Sequence, residues 1–157
     1  MNYEMKMKSI TKISLAGAAA CLMLAQTCLA APEWLTDVPT AQLKAKAANK
    51  LVLLDFTGSD WCGWCIKLHN EVFSKPEFEV YAQKNFVLVE VDFPRNKKQS
   101  DAVKKANQAL AEKYAIEGYP TIIILNGEGK KVGQLGYMAG GPKAFLAALE
   151  KIRAGKS

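Results

Sequence analysis

Cys62 and Cys65 stand three apart in the run Asp60-Trp61-Cys62-Gly63-Trp64-Cys65. Thiols at that spacing can share a disulfide, pass it to another molecule, or ligate a metal. A tetrahedral structural zinc needs four ligands, and His69 is the only histidine. As a staple the pair is poor, because closing so short a loop removes almost no chain entropy. It reads instead as a chemical group. An apolar strand precedes it and a helix is expected to begin at Cys62. Amide N–H groups at a helix start favour a thiolate. Cys62 is therefore expected to be exposed, acidic and the attacking thiol. Cys65, one turn deeper and shielded by Ile66 and Leu68, is placed to resolve a mixed disulfide.

Other residues gather around that pair. Asp55 follows Leu53 and Leu54 and precedes Phe56. A buried carboxyl is costly unless paired, and its pKa tends to rise. It could then take the Cys65 proton; the alternative is a strand-end Asp that meets water or caps the next turn. Trp61 and Trp64 flank the attacking thiol and could form an apolar contact patch for extended substrates. Trp61 could equally be a core aromatic, whereas Trp64 is expected to be exposed. Gly63 and Trp64, between the thiols, tune thiolate stability. Gly118-Tyr119-Pro120 is a sharp bend. A cis bond there would turn the Tyr119 backbone toward the cysteines for pairing with a substrate strand. A trans proline opening a strand is the alternative. His69 reads as a packed or half-exposed spacer. Lys97, Lys98, Lys104 and Lys105 read as a solvated face, or else a docking surface for an acidic partner.

The elements that position these residues follow from periodicity. A helix is predicted over 38–48, capped by Thr36 or Asp37. Residues 51–56 form a near-continuous apolar strand, the pattern of a strand covered on both faces. A helix runs from Cys62 to Phe73, with Cys62, Ile66, His69 and Phe73 on one face and Leu68 and Val72 extending the apolar stripe. Ser74 is expected to cap a second helical segment that Pro76 opens. Strand 86–91 puts Phe86, Leu88 and Glu90 on one side. Helix 100–114, strand 121–125, a turn at 126–129 and strand 131–137 follow. A last helix opens at Pro142 and buries Phe145, Leu146, Leu149 and Ile152. This order predicts an α/β fold, a central mixed sheet flanked by helices.

The 157 residues suit one domain, not two. Residues 1–30 read as a signal peptide: Lys6, Lys8 and Lys12 precede an apolar run over 13–24, and small residues end near Ala30. That run is short for a membrane span. Cys21 and Cys28 offer only poor lipoprotein sites, so cleavage near Ala30 is preferred to a lipid anchor. Cleavage leaves residues 31–157 as one domain, bearing Cys62 and Cys65 as its cysteines, in the periplasm or outside the cell. The formal charge of +6 is mild, and its lysines lack the basic stripe typical of a nucleic-acid binder.

Trp-Cys-Gly-x-Cys after an Asp-Phe strand, with Tyr119-Pro120-Thr121 before a second apolar strand, resembles the thioredoxin-like family over nearly all of residues 31–157. The run Gly58-Ser59-Asp60-Trp61-Cys62-Gly63-Trp64-Cys65 is similar to secreted members. Phe73-Ser74-Lys75-Pro76 also resembles the C-terminal domain of the periplasmic thiol:disulfide interchange protein. The resemblance implies a thioredoxin fold and a protein thiol–disulfide oxidoreductase leaning to reductase or isomerase. It gives Cys62 the attacking role, Cys65 the resolving one and Pro120 the place of a cis-proline. Its partners would be protein thiols or disulfides and, for a reductase, a membrane electron donor. No cofactor, metal or nucleic acid is implied. A client-binding module or holdase without catalysis is the alternative function. Three departures stand out: Trp64 replaces a common proline, one extra residue separates Asp55 from Cys62, and the stretch from Val91 to Ala109 is long and basic.

Overall fold

The computed structural model describes residues 31–155. The expected signal peptide lies outside them. Two residues, Trp34–Leu35, form β1, too short to leave a periodic signal. Helix α1, Val38–Ala48, is capped by Asp37, whose Oδ2 accepts the Thr40 N–H at 2.8 Å. It ends at Asn49 in the left-handed region (φ 53°), a conformation that Asn tolerates better than most side chains. Ala41 and Ala45 let α1 sit close to the sheet, while Leu43 faces outward.

Strand β2, Leu51–Thr57, is followed by α2, Gly63–Leu68, which continues as a π-helical turn, His69–Phe73. Helix α3, Pro76–Asn85, leads into β3, Phe86–Asp92. Helix α4 spans Asp101–Lys113, β4 Thr121–Leu125, β5 Lys131–Leu135 and α5 Gly141–Ala154. The sheet order is β1-β3-β2-β4-β5. β2 is central, parallel to β3 and antiparallel to β4, so the sheet is mixed as expected.

Side chains alternate across the sheet. Val52, Leu54 and Phe56 meet Val89, Val91, Ile123 and α1 in one core. Leu53, Phe86, Leu88, Ile122 and Ile124 meet the α2 segment, α3 and α5 in the other, around Phe73, Phe78 and Phe145. The three phenyl rings pack with centroids 4.8 to 6.3 Å apart. Asp55, Glu90 and Asp92 fall on that second face by alternation. It is apolar at the end bearing Leu53, Phe86 and Leu88, and acidic at the end where α2 begins.

Three expectations are corrected. The inward stripe of the α2 segment is Cys65, Leu68, Val72 and Phe73; Ile66 and His69 are exposed. The π turn accounts for the end of that stripe, since its wider repeat places both Val72 and Phe73 inward. Ser74 does not cap α3. Its hydroxyl donates back to the Asn70 carbonyl at 3.2 Å, and Lys75 holds the cap position without a side-chain bond. The sequence suggests an inward stripe of Val103, Leu110 and Tyr114 for helix 100–114. Leu110 and Tyr114 do meet the core, but the buried residue of α4 itself is Asn107, whose Nδ2 donates to the Asp92 carbonyl at 2.8 Å, while Val103 is half-buried.

Candidate active site

β2 ends at Thr57, and the chain crosses a short loop before Cys62 caps α2. Cys62 and Cys65 form a disulfide with Cα atoms 5.2 Å apart. The Cys65 N–H donates to Cys62 Sγ at 3.2 Å. This is an N-cap made by sulfur: Cys62 stands outside the helix in extended conformation and its side chain accepts the first free amide. The expected exposure of Cys62 is corrected. It is 6% exposed and Cys65 4%. In the disulfide, Cys62 Sγ folds back over the first helical turn, toward Cys65 and its amide.

Asp55 lies beneath this turn. It is buried, and its Oδ1 has no hydrogen-bond partner in the structure. Burial pushes its pKa up to about 8, and the carboxylates of Glu90 and Asp92 push in the same direction. Asp55 and Glu90 are register partners across β2 and β3. Glu90 is itself raised, first by burial and then by Asp92, with Lys97 and His69 opposing. Asp92 is committed elsewhere: its two oxygens accept the Ser59 N–H at 2.9 Å and the Ser59 hydroxyl at 2.6 Å. A cavity of about 220 Å³ joins Asp55 to Cys65, His69, Glu90 and Lys97. It is polar and large enough for several waters.

The loop before Cys62 is held from the β3–α4 connection. Asp60 accepts the backbone N–H groups of Arg95, Asn96 and Lys97 at 2.9, 2.7 and 3.1 Å, which draws its carboxyl below the usual range. Trp61 is half-buried, and its Nε1–H donates to the Phe93 carbonyl at 2.7 Å. The Arg95 guanidinium lies 3.9 Å from its ring centroid. Gly58 lies against the indole; a Cβ at that position would come within 2.5 Å of the ring. Tyr119 meets Trp61 edge-on at 5.9 Å and Phe93 at 5.3 Å. The Tyr119–Pro120 bond is cis and Pro120 is buried. Trp64 is 57% exposed, 4.9 Å from the Tyr137 ring, with Lys67 Nζ 5.2 Å from both rings. Gly63 is exposed, with open space where a Cβ would be.

The structure thus brings the Cys62–Cys65 pair and Asp55 together at one cavity, with Trp61 against the Tyr119 ring and Trp64 and Gly63 facing solvent. Sequence reasoning missed Glu90 as a companion of Asp55. The signal was present, since the alternation of β3 puts Glu90 on the side of Phe86 and Leu88. It also missed Asp60, Ser59 and Arg95, whose partners lie more than thirty residues away. Among the described residues no group of three or more His, Cys, Asp or Glu could hold a metal ion.

A mixed five-stranded sheet, a Cys-x-x-Cys disulfide at a helix start and a cis-proline just before β4 define a thioredoxin-fold protein with an active-site disulfide. The family model for the thioredoxin-like domain matches residues 38–153, and the chain belongs to that family. Within it, the chain is homologous to the Dsb thiol–disulfide oxidoreductases. It is 35% identical to the disulfide bond reductase DsbH of Chlamydia pneumoniae over 106 residues, covering 68% of this chain and 64% of the relative. A solved structure of a DsbH oxidoreductase superimposes with a TM-score of 0.74 at 32% identity, covering 78% of this chain and 85% of that one. The chain is also 36% identical to the thiol:disulfide interchange protein DsbD of Vibrio vulnificus over 112 residues, 69% of this chain but 17% of the relative. It therefore spans less than two thirds of the length of these curated relatives.

The Asp55 environment predicts a pH signature. A carboxyl whose pKa is near 3.8 unfolded and about 8 folded favours the folded state least when ionised. Stability of the oxidised protein should fall as pH rises from about 4 to about 8 and level off above that. Asp55→Asn should remove the slope and stabilise the protein by roughly 2–5 kcal/mol at pH 8, with little change at pH 4. Urea unfolding of both proteins across that range checks this; parallel profiles would contradict it.

Proposed function

We propose that this chain is an exported protein thiol–disulfide oxidoreductase that works through Cys62 and Cys65, with net reduction as its direction. The observation that carries the reading is the disulfide at the start of α2, with Cys62 Sγ accepting the Cys65 N–H above the Asp55 cavity. The same helical amides and dipole stabilise a Cys62 thiolate in the reduced protein. That thiolate attacks a substrate disulfide, forms a mixed disulfide and releases one substrate thiolate. Cys65 then gives its proton to ionised Asp55 and attacks Cys62 Sγ. The Cys62–Cys65 bond forms, the mixed disulfide breaks, and the second substrate thiolate leaves. Burial raises the Asp55 carboxyl to about 8, far closer to the range of a thiol than an ordinary carboxyl, which makes it a better acceptor for the Cys65 proton. Asp55 and Cys65 line one cavity, through which water can carry the proton.

The surroundings support roles in substrate binding. Trp61, Gly63, Trp64 and Tyr119 offer a surface on which an extended chain can lie, and buried Pro120, through its cis bond, sets the Tyr119 backbone as its hydrogen-bonding edge. That the DsbH relative is a disulfide bond reductase supports the reducing direction. In an oxidising periplasm a reductase needs a continuing source of electrons, and a membrane dithiol donor would supply it. The basic and then apolar residues before Ala31 support export with cleavage near Ala30. Intact mass of the exported protein should show those residues missing; a full-length or lipid-bearing product would contradict this part.

Trapping tests the exchange chemistry. With Cys65→Ser, attack survives and release does not, so clients should accumulate as reducible mixed disulfides that peptide mapping places on Cys62. Cys62→Ser should trap almost nothing. With Cys65 intact, Asp55→Asn should slow release more than the first attack. Equal trapping by both serine variants, or trapping through Cys65, would overturn the order. Insulin reduction with dithiothreitol that is unchanged in Cys62→Ala would favour a non-catalytic binding module.

A further inference from the structure

The charge of the domain is unevenly placed, and thiol exchange makes no use of that. Residues 31–157 hold eighteen Lys and Arg against fourteen Asp and Glu, a formal +4. The eleven residues from Arg95 to Lys105 hold five basic side chains and one acidic one, also +4. The remainder of 31–157 is balanced, thirteen against thirteen. All the net charge of the domain therefore lies in one connection and the first five residues of the helix that follows.

That segment is anchored to the active-site loop. The three backbone bonds to Asp60 fix the turn at Arg95, Asn96 and Lys97. Arg95 stacks on Trp61, the residue before Cys62. Lys97 Nζ donates to Ser59 Oγ at 2.9 Å. Beyond Lys97 opens a groove of about 490 Å³, with Phe93 and Pro94 as apolar wall and a polar wall on which Lys97, Lys104 and Lys105 outnumber the one acid, Asp101. Arg95, Lys97, Lys98, Lys104 and Lys105 are all exposed. The one acid, Asp101, has a fully exposed side chain and meets Lys104 at 3.5 Å. An exposed pair of that kind contributes little and is easily exchanged.

We propose that this groove and its cationic rim dock an acidic segment flanking the reacting cysteine of a protein partner. The proposal rests on the exchange reading for its purpose, but not for its binding. Single exposed lysines attract weakly. Three cations on a pinned loop and two on the helix that follows, beside a domain that is otherwise neutral, set up a local field that steers an oppositely charged chain and raises its encounter rate. The apolar wall suits a polypeptide, whose side chains and backbone can use both walls. The placement beside Trp61 means that whatever docks there reaches Cys62 along its own chain. A nucleic acid or an anionic membrane would be drawn by the same cations, and the test separates them.

Two short peptides serve as probes, identical except that the residues flanking one position are glutamates in one and lysines in the other. With serine at that position and a fluorescent label, anisotropy against the oxidised protein reads docking alone. With cysteine there, carried as a mixed disulfide with thionitrobenzoate, stopped-flow absorbance against the reduced protein reads exchange. Each variant's rate is taken relative to its own rate with neutral hydroxyethyl disulfide. The glutamate peptide should bind, and should react roughly tenfold faster than the lysine peptide at low salt. The difference should shrink below about twofold near 0.5 M salt, where screening acts within a few ångströms. Lys104→Glu with Lys105→Glu should remove most of the preference. Lys130→Glu with Lys131→Glu makes the same change in net charge at the β4–β5 turn and should leave the preference in place. Equal behaviour of the two peptides, or equal loss in both double variants, would overturn the proposal. So would tighter binding to DNA or anionic vesicles than to the glutamate peptide. If the glutamate peptide binds but even hydroxyethyl disulfide is not reduced, the exchange reading fails and the docking surface stands.

Discussion

Strand β2 carries Asp55 between β3 and β4, with Leu54 and Phe56 turned into one core and Asp55 into the other. The pairing of β2 on both sides holds the carboxyl in the interior, where it meets only the small polar cavity beside Cys65. Its neighbours make matters worse for the charged form, since Glu90 and Asp92 share its face. A buried acid with an unpartnered oxygen is an expense that a purely structural domain would avoid by placing a leucine there. Directly above it the chain starts a helix with a cysteine as its cap. The sheet thereby fixes a proton-holding group behind a sulfur pair, and the helix start fixes which sulfur faces the stabilising amides. Both features follow from where β2 stops.

The loop between β2 and α2 is held just as firmly, by partners remote in sequence. Ser59 is bound by Asp92, Asp60 binds three amides of the β3–α4 connection, and Trp61 donates to Phe93. The segment before Cys62 and the basic connection after β3 are therefore bonded to each other at several points. The result is an active-site edge with a rigid cationic margin on the Trp61 side and a Trp64–Tyr137–Lys67 shelf on the other. A thiol that discriminates among partners needs such margins, because exchange itself reads only sulfur.

Much of this was legible in the chain. The apolar run of β2, the repeating strands and the Cys-x-x-Cys at a helix start placed the fold and the dithiol, because burial on both faces and helix capping leave strong local patterns. The edge strand Trp34–Leu35 did not show, since two residues carry no period. Ile66 was misassigned to the interior because its phase in a short helix that turns into a π turn cannot be fixed from spacing alone. The exposure of Cys62 was misjudged because its sulfur folds back over the helix start to bond Cys65, a contact that spacing alone does not show. Asp60, Ser59 and Arg95 were illegible for another reason: their roles exist only across a gap that tertiary structure closes. Glu90 could have been recognised from the alternation of β3.

The division of labour between the two thiols is the claim on which the rest stands. Reduced protein treated with a limiting dose of iodoacetamide over a range of pH, with each site read by mass spectrometry, tests it most directly. Cys62 should be alkylated first, with a midpoint well below the ordinary thiol value near 8.5, while Cys65 stays unmodified until the protein is unfolded. Alkylation of Cys65 at a comparable rate, or a Cys62 midpoint at the ordinary value, would contradict the account.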